Sequence, residues 1–453
     1  MNPAEKFHSM RKGFDFSQAV AEADRCLLCH DAPCSAGCPA QTDPGTFIRK
    51  LRMKNITGAI RTIKSNNILG GACGVLCPTE RLCEKECSAA MRSNSAPGGD
   101  DRPIQIGKIQ RFLVEHGWRT GFSIFGEPVL KGHKVAVVGS GPAGLSCAAE
   151  LAKSGHRVTI FEAMPEPGGV LRYGVVDYRF DLDFLNRELA DVKGLGVTIE
   201  CNSPVDSQRS AQNLLDEGFK AVFIATGLWA AARLTSENTE VRGLYTSVDY
   251  LRTLNDGRFA KMAATVKDKT VAVIGGGSVA MDCAESAVRL GARDVYLVYR
   301  RSYAQMPAEE EERQETLQSG VHYLLLNQPT GVVSNADGRT IGLNLERTRL
   351  GDADESGRRR PEAVPSSKWT LDCDIVIEAI GNEPPEDSPQ WYPDVAVDEC
   401  GLIQADPDTR ATSVPGIFAG GDIVRGPALV VNAVQDGKVA ARAIENYLSQ
   451  KET

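Results

Sequence analysis

The sequence is poor in aromatic residues, in positive charge and in long apolar runs, and each shortage excludes a class of protein. Phe, Trp and Tyr make up 6% of the 453 residues, while 44 residues are glycine. This balance favours an α/β protein with many tight turns over an all-β sandwich. The net charge of −8 argues against nucleic acid or an anionic membrane as the main partner. The basic run Arg358-Arg359-Arg360 is interpreted as a solvated loop.

The chain also shows no segment that would carry it into or across a membrane. The uncharged run at residues 135–149 is too short to span a bilayer and is interrupted by glycine and proline. Residues 1–15 mix charges and lack the apolar centre of a signal peptide. We therefore expect a cytoplasmic protein, and a chain of this length should fold as two or three domains.

Two stretches have the strand, glycine turn and helix pattern of a dinucleotide-binding unit. In the first, a strand over residues 135–138 leads into a glycine turn that opens a helix, and Glu162 ends the next strand. Glycine permits the turn, lets a pyrophosphate approach the backbone and allows close helix–strand packing, while the carboxylate can accept hydrogen bonds from an adenosine ribose. The residues predicted to bind a cofactor here are Gly139, Gly141, Pro142, Ala143, Gly144 and Glu162.

The second unit begins at Thr270, and its second strand ends in Arg300 and Arg301 with no acidic residue at the tip. An acid there would favour the free 2′-hydroxyl of NAD(H), whereas arginine suits the 2′-phosphate of NADP(H). NADP(H) is therefore favoured. NAD(H) stays open because an arginine can stack on adenine, and both arginines could be ordinary solvated residues. The turn residues predicted to bind the dinucleotide are Gly275, Gly277, Ser278, Val279 and Ala280.

Two late segments, DIVIEAIG at 374–381 and GIFAGGD at 416–422, look like strands of the first dinucleotide domain resuming after insertion of the second. The predicted domains are a helical domain at 1–125, a first dinucleotide domain at 126–244 and 372–453, and a second at 245–371. In the helical part, Ser17 is predicted to cap one helix, Asp43-Pro44 to begin another and IGKIQRFLVEHG to form a third. Residues 94–103 are interpreted as a polar connector.

Eight of the thirteen cysteines lie before residue 90, in a C-x2-C-x4-C-x3-C-P run and a second group. In a reducing compartment such spacing is typical of metal ligands or redox groups more than of disulfides. Two Cys₄ zinc sites would fit, but cysteine followed by proline is typical of ferredoxins, so iron–sulfur clusters are favoured. The remaining cysteines are interpreted as small core residues: Cys147, Cys201, Cys283, Cys373 and Cys400.

The segments EAMPEPGGVLRYG, AVFIATG and GIFAGGD together resemble motifs of the two-dinucleotide-binding flavoproteins. The resemblance implies that the first unit binds FAD, that Asp422 hydrogen-bonds the ribityl-phosphate region, and that a helix from about Leu429 points its N-terminus at the isoalloxazine. It adds Gly169, Arg172, Gly227 and Gly421 to the predicted FAD site. Thioredoxin-reductase chemistry is disfavoured, because Cys283 stands alone where that class has C-x-x-C.

The segments RCLLCHDAPCSAGCPAQTDPGTFIR, CPTERLCEKEC and PIQIGKIQRF resemble the N-terminal domain of the dihydropyrimidine dehydrogenase family, an architecture that also occurs in the small subunit of glutamate synthase. The implied fold is α/β, with an N-terminal all-α iron–sulfur domain followed by two Rossmann-like domains, the NAD(P)H domain inserted in the FAD domain. The implied ligands of one [4Fe-4S] cluster are Cys26, Cys29, Cys34 and Cys87. Those of a second are Cys38, Cys77, Cys83 and the side chain of Gln110, whereas Cys73 matches no ligand.

The resemblance implies an electron-input subunit that takes hydride from NAD(P)H onto FAD and passes single electrons through two clusters. The chain shows no β/α barrel and no C-x2-C-x2-C-x3-C run, so uracil or thymine reduction is expected on a partner FMN subunit, in a hetero-oligomer, and no catalytic acid is expected here. One alternative is the small subunit of glutamate synthase or a related NADPH:acceptor reductase. The other is a non-catalytic iron–sulfur or zinc protein that senses redox state.

Overall fold

The structure is a computed structural model that describes residues 10–92, 102–234, 241–353 and 357–451. The chain divides into two compact units. The first unit contains Met10–Leu171, Arg179–Leu228 and Pro384–Thr453, and the second contains Arg172–Tyr178 and Trp229–Glu383. Among the described helices, none combines the length and the apolar character that a membrane span requires. The predicted connector at 94–103 lies almost wholly outside the described residues.

The first unit begins with helices that surround the cysteine-bearing loops. Asp43 caps one of them, at the predicted start of that helix, by accepting a hydrogen bond from the Thr46 N–H, and the apolar face of the helix is buried. The expected cap at Ser17 was wrong: Asp15 caps that helix in a reciprocal pair with Gln18, which satisfies two backbone N–H groups. These helices are α1 (Phe16–Asp24), α2 (Pro33–Ala36), α3 (Pro44–Arg52), α4 (Ile56–Asn66), α5 (Gly70–Leu76) and α6 (Ile106–Arg119), with 3₁₀ turns at Thr79–Arg81 and Ser88–Arg92.

The rest of the first unit is a five-stranded parallel sheet with strand order β16-β4-β1-β2-β3. Its central strands are continuous apolar runs, because helices cover both faces of a parallel sheet. The strands are β1 (Lys134–Val138), β2 (Arg157–Phe161), β3 (Thr198–Glu200), β4 (Ala221–Ile224) and β16 (Ile417–Ala419). The accompanying helices are α7 (Pro142–Lys153), α8 (Val170–Tyr173), which continues into the second unit, α9 (Leu182–Gly194), α10 (Ala211–Asp216), α15 (Asp422–Arg425) and α16 (Val430–Gln450).

The second unit holds another five-stranded parallel sheet, of order β6-β14-β7-β8-β9, and an antiparallel sheet in which β11 pairs with β10, β12 and β13. The parallel strands are β6 (Leu244–Thr246), β7 (Thr270–Ile274), β8 (Asp294–Tyr299), β9 (His322–Leu325) and β14 (Ile375–Glu378). The antiparallel strands are β10 (Asn327–Ser334), β11 (Thr340–Ala353), β12 (Arg359–Ala363) and β13 (Trp369–Asp372), and β5 (Ala230–Ala231) pairs with β15 (Asn382–Glu383). The helices are α11 (Ser247–Asn255), α12 (Phe259–Val266), α13 (Ser278–Arg289) and α14 (Glu310–Gln318), with 3₁₀ turns at Tyr303–Gln305 and, in the first unit, Ser388–Trp391.

One predicted strand belongs to the other sheet. The GIFAGGD strand, β16, pairs with β4 in the first unit as expected. The DIVIEAIG strand, β14, instead pairs in parallel with β7 and β6 of the second unit, so the prediction that it resumes the first domain was wrong. Both segments are short buried apolar runs, and such a run does not specify which parallel sheet it enters. The chain returns to the first unit only at Pro384.

Candidate cofactor sites

Four cysteines from the two ends of the cysteine-rich segment line one cavity. They are Cys26, Cys29, Cys34 and Cys87. The loop between α1 and α2 bends around this cavity because Leu28 and Ala32 adopt left-handed backbone conformations, with φ of 54° and 36°. Burial, and then the neighbouring Cys87 and Cys26, raise the pKa of Cys34 to about 12. Crowded, desolvated thiols of this kind become stable thiolates when a bound cation supplies positive charge, so the donor set fits an iron–sulfur cluster.

A second group of cysteines meets where α5 ends. Cys77 lies close to Cys73, Cys83 and Cys38, and the hydrogen bond with Cys73, followed by burial, raises the pKa of the Cys77 thiol. Burial is also the main cause that raises the pKa of Cys83. The structure therefore brings together the three cysteines predicted for the second cluster. Cys38 belongs to the first cysteine run in the sequence. In the structure it lies in this second group and is not among the residues that line the cavity of Cys26, Cys29 and Cys34.

Gln110 and Cys73 both lie beside this second group. The Gln110 side chain is buried, and its Nε2 donates to the carbonyl oxygen of Gly70 at 2.5 Å, at the start of the helix that carries Cys73. Cys73 is also buried and accepts a hydrogen bond from Asn67 Nδ2 at 3.3 Å. In the described part of the chain, no three His, Cys, Asp or Glu side chains are grouped tightly enough to hold a single metal ion. A ligand role for Gln110 stays a prediction.

The first glycine turn has the close backbone approaches that the motif requires. A Cβ at Gly144 would collide with the carbonyl oxygen of Gly139, so α7 can pack against β1 only with glycine there. Gly139 itself has a φ of +97° and donates its N–H to the Phe161 oxygen at 2.8 Å. Helix α7 begins at Pro142 and points its N–H groups at the turn, which is the arrangement that binds a pyrophosphate.

Glu162 lies at the end of β2 with its carboxylate held in place. It accepts hydrogen bonds from the Ser140 N–H at 2.9 Å, the Ser140 hydroxyl at 2.5 Å and the Met164 N–H at 2.8 Å. The Ser140 hydroxyl also accepts from the Gly168 N–H at 2.9 Å. Ser140 thus joins the glycine turn, the predicted ribose-binding acid and the next loop. No sequence signal marks Ser140, because the x position of a G-x-G motif carries no residue preference.

The loop after β16 is organised by a carboxylate that the sequence analysis did not single out. Asp436 in α16 is fully buried and accepts from the Gly421 N–H at 2.8 Å, from Arg410 Nε at 3.0 Å and from Arg425 Nε at 2.9 Å. It therefore fixes the turn that presents Asp422. Burial raises the pKa of Asp422 to about 6. The only sequence signal for Asp436 is an acid on the apolar face of a helix.

The other residues predicted for FAD fall in three places. Gly169 lies against the first turn, since a Cβ there would be 2.7 Å from the Gly141 Cα. Gly227 follows β4 with a φ of +70°. Arg172 belongs to the second unit, where its carbonyl oxygen accepts from Asn255 Nδ2 at 2.9 Å. Helix α16 starts at Val430, as predicted for a helix from about Leu429.

In the second unit the glycine turn again precedes a helix. Gly277 is the N-cap of α13, Ala280 is buried in its first turn, and Val279 is exposed. Gly275 lies against the carbonyl of Ala379. The Ser278 hydroxyl donates to Glu312 Oε2 at 2.6 Å. All the predicted turn residues therefore lie at the carboxyl end of β7, where a dinucleotide binds in this type of sheet.

The two arginines after β8 have different surroundings. The side chain of Arg300 is exposed, whereas Arg301 is buried and its Nε donates to the Arg359 oxygen at 2.8 Å. The interpretation as an ordinary solvated residue therefore fits the exposed Arg300 but not the buried Arg301. Of the scattered cysteines, Cys147, Cys283 and Cys373 are buried as predicted, Cys201 is half-buried, and the prediction for Cys400 was wrong because it is exposed.

The sequence matches two known families. Residues 3–122 match the family described as dihydropyrimidine dehydrogenase domain II, 4Fe-4S cluster. Residues 133–437 match the family described as pyridine nucleotide-disulphide oxidoreductase. FprA from Mycobacterium tuberculosis, solved in complex with NADPH, has a similar fold, with a TM-score of 0.60 and 18% identity over 71% of this chain and 86% of that chain.

Three relatives are similar over nearly the whole chain. The β subunit of NADP(+)-dependent formate dehydrogenase from Moorella thermoacetica is 40% identical over 93% of this chain, which spans only 60% of that protein's length. The NAD-dependent dihydropyrimidine dehydrogenase subunit PreT from Escherichia coli is 36% identical over 95% of this chain and 94% of its own. The small chain of NADPH glutamate synthase from Escherichia coli is 33% identical over 98% of this chain and 94% of its own.

Proposed function

The chain belongs to the pyridine nucleotide-disulphide oxidoreductase family, and we propose that it feeds electrons to a partner subunit that reduces uracil or thymine to the 5,6-dihydropyrimidine at FMN. It is an NAD(P)H-dependent flavin iron–sulfur oxidoreductase, an electron-transfer subunit with FAD and [4Fe-4S] clusters. When bound, FAD accepts hydride from the nicotinamide and the clusters carry single electrons. This chain's residues bind and orient these groups.

Two ligand sets form part of the proposal. The first, Cys26, Cys29, Cys34 and Cys87, is supported by the cavity that these four residues line. The second, Cys38, Cys77, Cys83 and Gln110, is supported by the proximity of its cysteines and by the hydrogen bond that holds the Gln110 amide against Gly70. The dinucleotide turn, Glu162 and the loop fixed by Asp436 are proposed to hold FAD.

The proposal is carried by three consecutive residues of α16. Together they contact the proposed FAD site and the chain segment next to Cys38 of the proposed second cluster. Asp436 fixes the Gly421 turn. Gly437 packs so closely on α7 that a Cβ there would be 2.7 Å from the Cys147 nitrogen. Lys438 is buried and its Nζ donates to the Ala40 oxygen at 2.5 Å, two residues beyond Cys38. The same helix thus contacts the proposed flavin loop and the chain segment next to Cys38, which supports a short path for electrons between the two proposed cofactors.

A direct test is anaerobic purification with any copurifying subunits, followed by assays of NADH and NADPH oxidation with uracil, with glutamine plus 2-oxoglutarate, and with formate in the reverse direction. We expect uracil-dependent oxidation. A complex that makes glutamate, or reduces NADP(+) with formate, and reduces no pyrimidine would contradict the proposed partner reaction. A flavin that NAD(P)H bleaches under anaerobic conditions would exclude a non-catalytic sensor.

The proposed ligand sets have a separate test in electron paramagnetic resonance of the reduced protein. Cys38→Ser should remove the signal of the cluster completed by Cys77, although Cys38 lies in the first sequence run. Cys26→Ser should remove the other signal. Cys400→Ser is the control and should remove neither, because Cys400 is exposed and far along the chain. Loss of the same signal in the first two variants would show that the assignment is wrong.

The second candidate function is that of a glutamate synthase small chain. It is favoured by the relative that is 33% identical over 98% of this chain and by the exposed Arg300 at the end of β8, which suits NADPH. The glutamine and 2-oxoglutarate assay separates it from the first candidate.

A further inference from the structure

A third arginine reaches the end of β8 from the antiparallel sheet of β10, β11, β12 and β13, which we call the antiparallel arm. Arg358 stands just before β12, which pairs with β11. Its Nη2 donates to the Tyr299 hydroxyl at 3.0 Å and to the Gln305 oxygen at 3.4 Å. The basic run 358–360 was expected to be a solvated loop. The structure instead leaves Arg358 half-buried and turned back onto the last residue of β8.

Tyr299 connects this arginine to the glycine turn. Its ring lies directly over Gly276, where a Cβ would be 2.7 Å from the ring atoms Cδ2 and Cε2. Its hydroxyl donates to the Gln305 oxygen at 2.7 Å, which fixes the ring in this position. Arg358 is therefore one tyrosine side chain away from the turn, at the end of the second strand of the unit. In sheets of this kind that end of the strand is where the adenosine ribose lies.

At its carboxyl end β8 continues into two basic residues, Arg300 and Arg301. Arg300 is exposed next to Tyr299, and β8 ends without an acidic residue. Two of the carboxylates at the start of α14 have partners of their own: Glu312 accepts from Ser278, and Glu310 pairs with Arg313. A phosphomonoester carries about two negative charges at neutral pH, and two guanidinium groups suit its oxygens through charge-assisted hydrogen bonds.

We propose that Arg358 and Arg300 together bind the 2′-phosphate of NADP(H), so that the antiparallel arm determines the coenzyme specificity of the second unit. Arg301 has another task, because its Nε holds the arm to the sheet through the Arg359 oxygen. This inference rests on the proposed NAD(P)H oxidation, and it adds Arg358 as a structural reason for the preference for NADPH over NADH.

The test compares Arg358→Ala, Arg300→Ala and the control Arg360→Ala, whose side chain is exposed on the same arm. NADPH and NADH oxidation by the purified holoprotein is measured with ferricyanide. Loss of one charge-assisted contact should lower kcat/KM for NADPH relative to that for NADH by about tenfold or more. Arg360→Ala should leave the ratio within about twofold of wild type, and Arg358→Lys should restore part of the loss. FAD content and circular dichroism check that each variant is folded.

Calorimetric titration with 2′,5′-ADP and with 5′-AMP tests the inference independently of any reaction. Wild-type protein should bind 2′,5′-ADP more tightly, and Arg358→Ala should remove that difference. The inference is overturned if wild type does not distinguish the two ligands, or if Arg358→Ala affects both nucleotides equally or neither. Failure of NAD(P)H oxidation in wild type, with the discrimination between ligands intact, would instead count against the proposed function alone.

Discussion

Replacing Glu188 by glutamine should loosen the cysteine-bearing helices from the sheet that holds the first dinucleotide turn. Glu188 is fully buried in α9 and accepts from the Gly71 and Ala72 N–H groups at 2.9 and 3.0 Å. It also pairs with the buried Lys64 Nζ at 3.1 Å, and Lys64 has a second partner in Asp191 at 2.9 Å. Burial lowers the pKa of Lys64, but the carboxylates of Glu188 and Asp191 outweigh it and raise the pKa overall.

The expected effect follows from what the substitution leaves behind. Breaking a buried ion pair costs about 3–5 kcal/mol, because the remaining charge loses its partner in a site without water. Asp191 still faces Lys64, so the lower value of about 3 kcal/mol applies. The Gly71 and Ala72 N–H groups donate to different oxygens of Glu188. Glutamine replaces one of these oxygens by an NH2 donor, so one backbone N–H also loses its acceptor, which adds to the electrostatic loss. A change of about 3 kcal/mol raises the population of the locally open state by roughly a hundredfold.

Hydrogen exchange measures this opening directly at the start of α5. Backbone amides over residues 70–76 should exchange about a hundredfold faster in Glu188→Gln than in wild type. The control is Glu217→Gln, which removes an exposed pair with Arg209 and should change stability by less than about 1 kcal/mol. A double-mutant cycle with Lys64→Met should show coupling between the two positions. Equal exchange in the Glu188 and Glu217 variants would refute the reasoning.

Two further variants test the proposed FAD loop. Burial raises the pKa of Asp422 to about 6 in the folded protein, against about 4 in an unfolded chain. Its ionisation therefore lowers the stability progressively between about pH 4 and pH 6, and by a constant amount above that range. Asp422→Asn should stabilise the FAD-free protein by up to about 3 kcal/mol at pH 8 and hardly at pH 4. Equal stabilisation at both pH values in urea unfolding would contradict this. Gly437→Ala should separate α16 from α7 and lower the FAD retained on gel filtration, since overpacking costs about 1–3 kcal/mol. Gly194→Ala, with no atom within 4 Å of the added Cβ, should retain FAD fully.

Features that depend on neighbouring residues were predictable from the sequence. The glycine turns at Gly139 and Gly275 follow from local backbone and packing requirements between a strand and the helix after it. The helix start at Asp43 is local as well, because the Asp43 side chain accepts a hydrogen bond from the N–H of Thr46, only three residues further along the chain. The cap at Asp15 was missed because Ser17 is also a good cap residue, and only the reciprocal bond with Gln18 decides between them.

Features that join distant parts of the chain do not follow from local sequence patterns, although the family resemblance implied one of them, the meeting of Cys87 with Cys26. Cys87 meets Cys26 at one cavity because α1, α3 and α6 pack around a common core, and no spacing within either cysteine run indicates that. The sheet that β14 enters is likewise set by the strands beside it, since its apolar run suits either sheet. Sequence patterns report the backbone conformation and the burial of a segment. They do not report its partner, because apolar contacts are non-directional, and Asp436, Lys438 and Arg358 acquire their positions only through partners far along the chain.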